Sequence, residues 1–443
     1  MSTDNGKSRS NALLVIGGGI SGLTVAVEAA EVGYPVIVVE RQPSLGGRVA
    51  QMNKYFPKLC PPLCGLEIIY QRIRGNPDTI QVFTLAEVEK VSGQPGAFDV
   101  TLRIHPRYVN ERCTACGDCV GVCPVERPND FNYGMDKTQA IYRPYDMAHP
   151  ARHAIDMSVC AGKGCAKCVQ ACKYNAIELD MASRTLQCKA GAIVVATGWD
   201  PKDAAAMENL GFGQCANVIT NVMMERLAAP NGPTAGRIVR PSDGKEARTV
   251  VFVQCAGSRD ENHLPYCSAV CCLASLKQAG YVREQNPEAK AHVFYIDLRA
   301  TGVLEDFLAR TQSDANIVVK KGKVAKVEED PQTKDLQIEV EDVLGGGKLR
   351  MKADLVVLAA GMVPSLKNRP LPFEIHCDES GFCTAGNQPP GVIAAGTAKA
   401  PSDVATAIQD ATGAALRAIQ CVRQESHAQA SPHAPREEAS RGA

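Results

Sequence analysis

The sequence predicts an α/β fold: two Rossmann-like dinucleotide-binding units, the first interrupted by a cysteine-rich α+β insert. Three observations lead there. Residues 12–40, ALLVIGGGISGLTVAVEAAEVGYPVIVVE, follow a strand, glycine turn, helix and strand pattern. A second strand-turn-helix-strand pattern opens near residue 248 with TVVFVQCAGS and continues to AHVFYIDLR. Eight cysteines are packed into residues 113–172, as CTACGDCVGVCP and CAGKGCAKCVQAC.

Taken in order, residues 1–11 form a polar, flexible arm. Residues 12–107 form the first part of a flavin-binding unit, ending in the strand-like pieces IQVFTLAEVEKV and FDVTLRI. The cysteine block, residues 108–180, is an insertion. The flavin pattern resumes over residues 181–247 with the apolar strand AGAIVVATGWD. A second Rossmann-like domain covers residues 248–350, in which residues 317–352 alternate like antiparallel strands. Residues 351–422 return to the flavin unit: ADLVVLAAGMVPS repeats the strand and turn, and GVIAAGTAKAPSDVATAIQDATGAALRAIQ is a strand, a loop and an amphipathic helix. Residues 423–443 are small, polar and proline-bearing, a disordered tail.

Gly17, Gly19 and Gly22 stand in strand-turn-helix context, where backbone amides approach a pyrophosphate and the helix N-terminus holds its charge. Glu40 ends the next strand and is placed to accept from a ribose hydroxyl. Arg41 follows it, and Gly46, Gly47 and Arg48 form an LGGR arrangement common in flavoproteins, so FAD is expected here rather than NAD. Thr197 and Gly198 of ATG, and Gly396 and Thr397 of AAGT, are the remaining candidate flavin contacts. Gly396 and Thr397 stand where two-dinucleotide-domain flavoproteins usually carry Gly-Asp.

A C-x2-C-x2-C turn wraps three thiolates around one cluster and takes its fourth ligand from elsewhere. Cys113, Cys116 and Cys119 are therefore paired with Cys172, and Cys160, Cys165 and Cys168 with Cys123, giving two [4Fe-4S] clusters in a ferredoxin-like insert. The second motif departs from the usual one, with a wider gap between Cys160 and Cys165 and Lys173 where proline is usual. Zinc also takes four thiolates, but paired motifs ending in C-x3-C favour iron-sulfur.

The second unit lacks the glycines of a nucleotide turn and carries QCAGSRDENHLPYCSAVCC instead, so NAD(P)H binding is not expected. Cys255 ends its strand. Cys267, Cys271 and Cys272 lie at the turn into the next helix, where amide dipoles favour thiolates and Cys267 and Cys271 are one helical turn apart.

On QCAGSRDE…YCSAVCC, the insert and GGGISG, residues 13–420 resemble the heterodisulfide reductase A subunit and its relatives, flavoproteins similar to the pyridine-nucleotide disulfide oxidoreductases. KYFPKLCPPLCGLE, TNVMMERLAAPNGPT and RPSDGKE are most similar to the A subunit of the quinone-interacting membrane-bound oxidoreductase. The resemblance implies FAD, the two ferredoxin clusters and a third, non-standard [4Fe-4S] cluster on Cys255, Cys267, Cys271 and Cys272. It further implies electron transfer between the quinone pool and adenylylsulfate reductase. The implied partners are a second A-like flavin/iron-sulfur subunit, the membrane quinone-reactive subunit and adenylylsulfate reductase. A competing reading is a flavin-dependent disulfide oxidoreductase using Cys60 and Cys64, or Cys267 and Cys271, though no His-Pro-x4-Glu segment supplies its acid-base partner. A third is an assembly scaffold whose flavin does not turn over.

Among 443 residues, 48 Lys plus Arg balance 48 Asp plus Glu, so no basic field exists to bind nucleic acid or anionic lipid. The nineteen cysteines, behind an opening MSTDNGKSRSN that lacks a signal peptide's apolar stretch, suit a reducing cytoplasm. No apolar run reaches the roughly 20 residues of a bilayer span, so any membrane link runs through partner subunits. The eight histidines form no hydrolytic pattern. Cys188, Cys215, Cys377, Cys383 and Cys421 fit no motif and are expected to serve packing.

Overall fold

A computed structural model describes residues 11–56 and 59–428. The predicted N-terminal arm, residue 11 apart, lies outside these residues. So does the predicted tail beyond residue 428.

The first sheet is parallel throughout, in the order Val392–Ala394, Ala192–Val195, Leu13–Ile16, Val36–Glu40 and Ile80–Thr84. Strands Ala192–Val195 and Leu13–Ile16 are wholly buried, as continuous apolar runs in a sheet covered on both faces should be. On one face, helix Ile20–Glu31 packs against the closing helix Val404–Ala428 through the small buried Ala411, Ala414, Ala415 and Ala418. That helix runs to Ala428 instead of stopping before a tail at residue 423, because QESHA continues without a glycine or proline to break it. On the other face lies an antiparallel sheet of Ala86–Gln94, Ala97–Ile104 and Arg184–Ala190. Ile104 pairs directly with Arg184, so the chain leaves for the insert and returns from it at adjacent positions.

The second sheet is also parallel: Val218–Thr220, Leu355–Ala360, Thr249–Ala256, Lys290–Tyr295 and Ile317–Lys321. Three placements differ from the sequence expectation. Val218–Thr220 and Leu355–Ala360, assigned by sequence to flavin segments, belong to this sheet. Ile317–Lys321, expected to be antiparallel, is its parallel edge, while Lys323–Glu329, Leu336–Asp342 and Gly347–Ala353 form the antiparallel sheet. An apolar strand ending in a small-residue turn suits the centre of either Rossmann sheet, so LVVLAAG carries no signal for which one. The two halves are joined by a two-stranded ribbon, Trp199–Pro201 against Met362–Pro364.

Candidate flavin cavity and cysteine sites

The carboxyl ends of Leu13–Ile16, Ala192–Val195 and Val392–Ala394 bring three loops together at the crevice where open α/β sheets bind ligands. A Cβ on Gly17 would stand 2.3 Å from the Ala196 carbonyl oxygen, and one on Gly198 would stand 3.7 Å from Thr397 Oγ1. Gly22 has no room at all: its Cβ would be 1.9 Å from the Gly17 carbonyl oxygen. Gly396, at φ +62°, would drive a Cβ to 2.0 Å from Ser21 Oγ. Gly17, Gly22 and Gly396 set close approach, and Gly17 and Gly198 also line a cavity of about 980 Å³.

Gly17, Gly19, Glu40, Arg41, Gly47, Arg48, Thr197, Gly198 and Thr397 all line that cavity. Glu40 Oε2 accepts from Gly18 N and Oε1 from Gln42 N, both at 2.6 Å. Burial pushes its pKa up, against the pull of the Gln42 and Gly18 amides. A carboxylate has more than two acceptor sites, so capacity for a ribose hydroxyl is left. Arg48 is held by the protein itself, with Nη2 on Asp200 Oδ1 at 2.7 Å and Nε on the Trp199 carbonyl at 3.3 Å. Thr197 Oγ1 is buried with no partner in the protein, an unmet polar group in the cavity wall. Cavity size, facing amides and this orphan hydroxyl fit a dinucleotide.

Sequence reasoning missed how many elements close the cavity. The insert supplies Arg127, Phe131, Tyr133 and Tyr145, and the second unit supplies Ala269, Val270, Leu273 and Lys277. Arg226, fully buried, fixes the insert: Nε donates to Asn132 Oδ1 at 2.8 Å, Nη2 to the Asn231 carbonyl at 2.9 Å, and the guanidinium lies 4.6 Å over Phe131. Lys277 Nζ pairs with Glu225 Oε1 at 2.9 Å. No local motif marks these residues, because their partners lie far away in sequence.

In the insert, Cys123, Cys160, Cys165 and Cys168 line one small cavity of about 20 Å³, the set paired from the sequence. Cys119 sits in short helix Asp118–Gly121; burial, then Cys113 and Cys116, push its pKa up to about 12. Cys172 packs on the same small core as Cys113 and Cys119, while Cys116 is exposed. Backbone amides of Ala115, Gly162 and Ala176 donate to the sulfurs of Cys113, Cys160 and Cys172, each at 3.4 Å. Among the described residues, no three Cys, His, Asp or Glu side chains close on a single ion. Zinc and iron-sulfur clusters both take four thiolates, and four cysteines lining one cavity offer such a set.

In the second unit, Cys255 has φ +55° and sits where the pairing of Thr249–Ala256 with Leu355–Ala360 slips. Such a bulge re-aims a side chain. Cys271 and Cys272 open helix Cys271–Gln285, but Cys267 lies before it, separated by Ala269 at φ +60°, so the expected helical-turn spacing does not occur. The thiols still meet electrostatically: burial first, then Cys272, Cys255 and Cys267, push the Cys271 pKa up. Burial pushes the Cys255 and Cys272 thiols up as well. The loop after Gly257 packs closely on the end of Leu355–Ala360, with buried Ser258, Leu264 and Ser268 all within 2.8 Å of where a Cβ on Gly361 would stand.

Cys60 and Cys64 are exposed and absent from the lining of the 980 Å³ cavity. Of the cysteines expected to pack, Cys215 and Cys383 are buried, Cys188 and Cys421 partly so, and Cys377 is exposed.

The fold is that of the pyridine-nucleotide disulfide oxidoreductases. A thioredoxin reductase of Lactococcus lactis superposes with a TM-score of 0.51 at 12% identity, covering 94% of this chain and all of that one. The family model for an NAD(P)-binding Rossmann-like domain matches residues 15–58. Beyond fold, the chain is homologous to the A subunits of heterodisulfide reductases. It is 39% identical over 417 residues to the iron-sulfur A subunit of the CoB–CoM heterodisulfide reductase of Methanocaldococcus jannaschii, covering 91% of this chain and 63% of that protein. It is 37% identical over 418 residues to the A subunit of the H(2):CoB-CoM heterodisulfide,ferredoxin reductase of Methanothermobacter thermautotrophicus, again covering 91% of this chain and 63% of that protein. The chain thus spans less than two thirds of these relatives' length.

Proposed function

We propose that this protein is an oxidoreductase, an FAD and iron-sulfur electron-transfer subunit of a quinone-linked or heterodisulfide-reductase-like complex. The observation that carries the reading is one cavity walled by three parts of the chain: the glycine turns, the cluster insert and the start of the helix bearing Cys271. Gly17, Gly19, Glu40, Gly47, Thr197 and Thr397 would hold FAD, with Gly22 and Gly396 permitting the approach and Arg41 and Arg48 at the rim. The eight insert cysteines would hold two [4Fe-4S] clusters, and Cys255, Cys267, Cys271 and Cys272 a third. FAD supplies one- and two-electron exchange, and iron-sulfur clusters single-electron steps. The chain's own work is geometric: Arg226 clamps the insert against the cavity, Lys277 and Glu225 brace the opposite wall, and Phe131 and Tyr145, stacked at 5.0 Å, exclude water.

By its sequence resemblance, the complex passes electrons between the quinone pool and adenylylsulfate reductase in sulfur-compound metabolism. Its partners are then a second A-like protein, the membrane quinone-reactive subunit and adenylylsulfate reductase. The subunit is cytoplasmic in this reading and held peripherally at the membrane by those partners; among the described residues no helix is long and apolar enough to cross a membrane. The disulfide-reductase alternative is weaker, because none of Cys60, Cys64, Cys267 and Cys271 lines the cavity. The deciding experiment is an anaerobic count of iron and FAD per chain, followed by flavin reduction on mixing with a quinol and the partner subunits. About twelve irons and one FAD, with a flavin that reduces, are expected; a flavin that stays oxidised makes the protein a scaffold.

A further inference from the structure

Cys377 and Cys383 face each other across an isolated antiparallel bridge. Asp378 N donates to the Phe382 carbonyl at 2.8 Å and Thr384 N to the His376 carbonyl at 2.9 Å, so the cysteines occupy the non-hydrogen-bonded pair between those two bonds. Such a pair stands about 4.5 Å apart at Cα, within the roughly 4.4–6.8 Å that a disulfide spans. The pairing sets the two thiols on facing positions of the bridge. Their exposure differs, with Cys377 at the surface and Cys383 only 2% exposed.

The hairpin does not depend on the thiols for its shape. Asp378 Oδ1 accepts from Ser380 N and Phe382 N, both at 2.9 Å, and Gly381 turns the chain at φ +93°. Gln388 joins both arms, its Oε1 accepting from His376 N at 3.1 Å and its Nε2 donating to the carbonyls of His376 at 2.6 Å and Thr384 at 3.0 Å. Behind it, Phe382 meets Tyr266 edge-on at 5.3 Å, and Cys383 N donates to the Ala398 carbonyl at 2.9 Å. The sulfurs are therefore presented by a rigid frame, one to solvent and one behind it.

We propose that Cys377 and Cys383 are a redox-active dithiol, separate from the flavin and cluster sites, that is oxidised to a disulfide by small, uncharged disulfide compounds. Cys377 as thiolate attacks one sulfur of R–S–S–R. That bond breaks, a mixed disulfide forms, and the departing thiolate takes up a proton equivalent to the one Cys377 released. Cys383 Sγ then attacks Cys377 Sγ, the mixed disulfide breaks, and the second departing thiolate takes the Cys383 proton. The protein pair loses two electrons and the small disulfide gains them, yielding two thiols. Burial keeps the Cys383 thiol from being the first attacker and leaves that role to exposed Cys377; Cys383 must give up its proton as it attacks the mixed disulfide. Glu374, Asp378 and Glu379, all exposed beside Cys377, oppose an anionic disulfide and set the preference for a neutral one.

The test uses the full-length holoprotein, reduced and held anaerobically, then treated with bis(2-hydroxyethyl) disulfide, blocked with an alkylating agent and mapped by mass spectrometry. The expected result is joint loss of alkylation at Cys377 and Cys383 in one cross-linked species lighter by two hydrogens, with iron and FAD content unchanged. C383S should arrest as a stable hydroxyethylthio adduct on Cys377, and C377S should leave Cys383 a thiol. A persistent adduct on wild-type Cys377, or independent alkylation of the two residues after treatment, overturns the proposal. The wild-type map decides even if a variant fails to fold.

Discussion

Gly22→Ala is the sharpest probe of the cavity, because the structure supplies its own control. Gly22 and Gly65 both lie inside helices, so alanine brings each about 0.5–1 kcal/mol of helix stability. A Cβ on Gly65 meets nothing within 4 Å, whereas one on Gly22 meets the Gly17 carbonyl oxygen at 1.9 Å and Val15 Cγ1 at 3.1 Å. Restoring ordinary contact needs helix Ile20–Glu31 to withdraw by about 1.5 Å, against a core in which Leu23, Val25, Ala26 and Val27 are fully buried. Overpacking of this kind costs about 1–3 kcal/mol, and since the helix gain is common to both, the two variants should differ by about 1–3 kcal/mol in stability. The same withdrawal pulls amides off a bound pyrophosphate. Losing two hydrogen bonds to a charged group, at about 1.5–3 kcal/mol each, weakens FAD binding at least about 100-fold. The assays are FAD per chain after gel filtration and the denaturant midpoint. If Gly22→Ala retains FAD and unfolds together with Gly65→Ala, this turn does not cradle a dinucleotide.

Arg226→Met should lower stability by about 2 kcal/mol, read as a denaturant midpoint, because it strips a donor from buried Asn132 while exposed Asn231 can turn to water. Cys271→Ala should remove about one four-iron cluster's worth of iron while FAD stays; unchanged iron would return the four thiols to packing or dithiol roles. NADH alone should not bleach the flavin at a useful rate, since the second unit carries QCAGSRDENHLPYCSAVCC in place of a nucleotide-binding glycine turn; rapid anaerobic bleaching refutes that. His149, stacked on Tyr70 at 5.4 Å, has its pKa lowered by burial to about 4. The unfolded chain then binds more protons between about pH 6.5 and pH 4, so this group's stabilisation is full above 6.5 and lost on descending to 4. Its share is about 3 kcal/mol, and His149→Phe should flatten that slope in urea midpoints taken across the window.

The signals legible in the sequence lie where chemistry demands neighbours along the chain. Gly17, Gly19 and Gly22 need fixed spacing around one turn, and the structure puts the ATG and AAGT turns against them. Cys123 sharing a cavity with Cys160, Cys165 and Cys168 follows from the crossed geometry of the motif. What escaped reading was set by distance along the chain. The sheet that Leu355–Ala360 enters is chosen by Val218–Thr220 and Thr249–Ala256, about a hundred residues or more upstream, and not by its own apolar run. The bulge that turns Cys255 arises only once that pairing exists. Cys377 and Cys383 looked like isolated small residues because their spacing matches neither a metal motif nor a redox dithiol, and only the hairpin makes them partners.

The adjacency of Ile104 and Arg184 gives the insert an unusual status. A segment that leaves and returns at neighbouring strand positions can be gained, lost or exchanged without re-registering the sheet beneath it, as one replaces a plug-in part. Yet Arg127, Phe131, Tyr133 and Tyr145 of that segment form part of the cavity wall. A chain stripped of residues 105–183 and closed by a short turn should keep its Rossmann framework but lose part of that wall. The segment easiest to exchange is thereby one the cavity cannot spare.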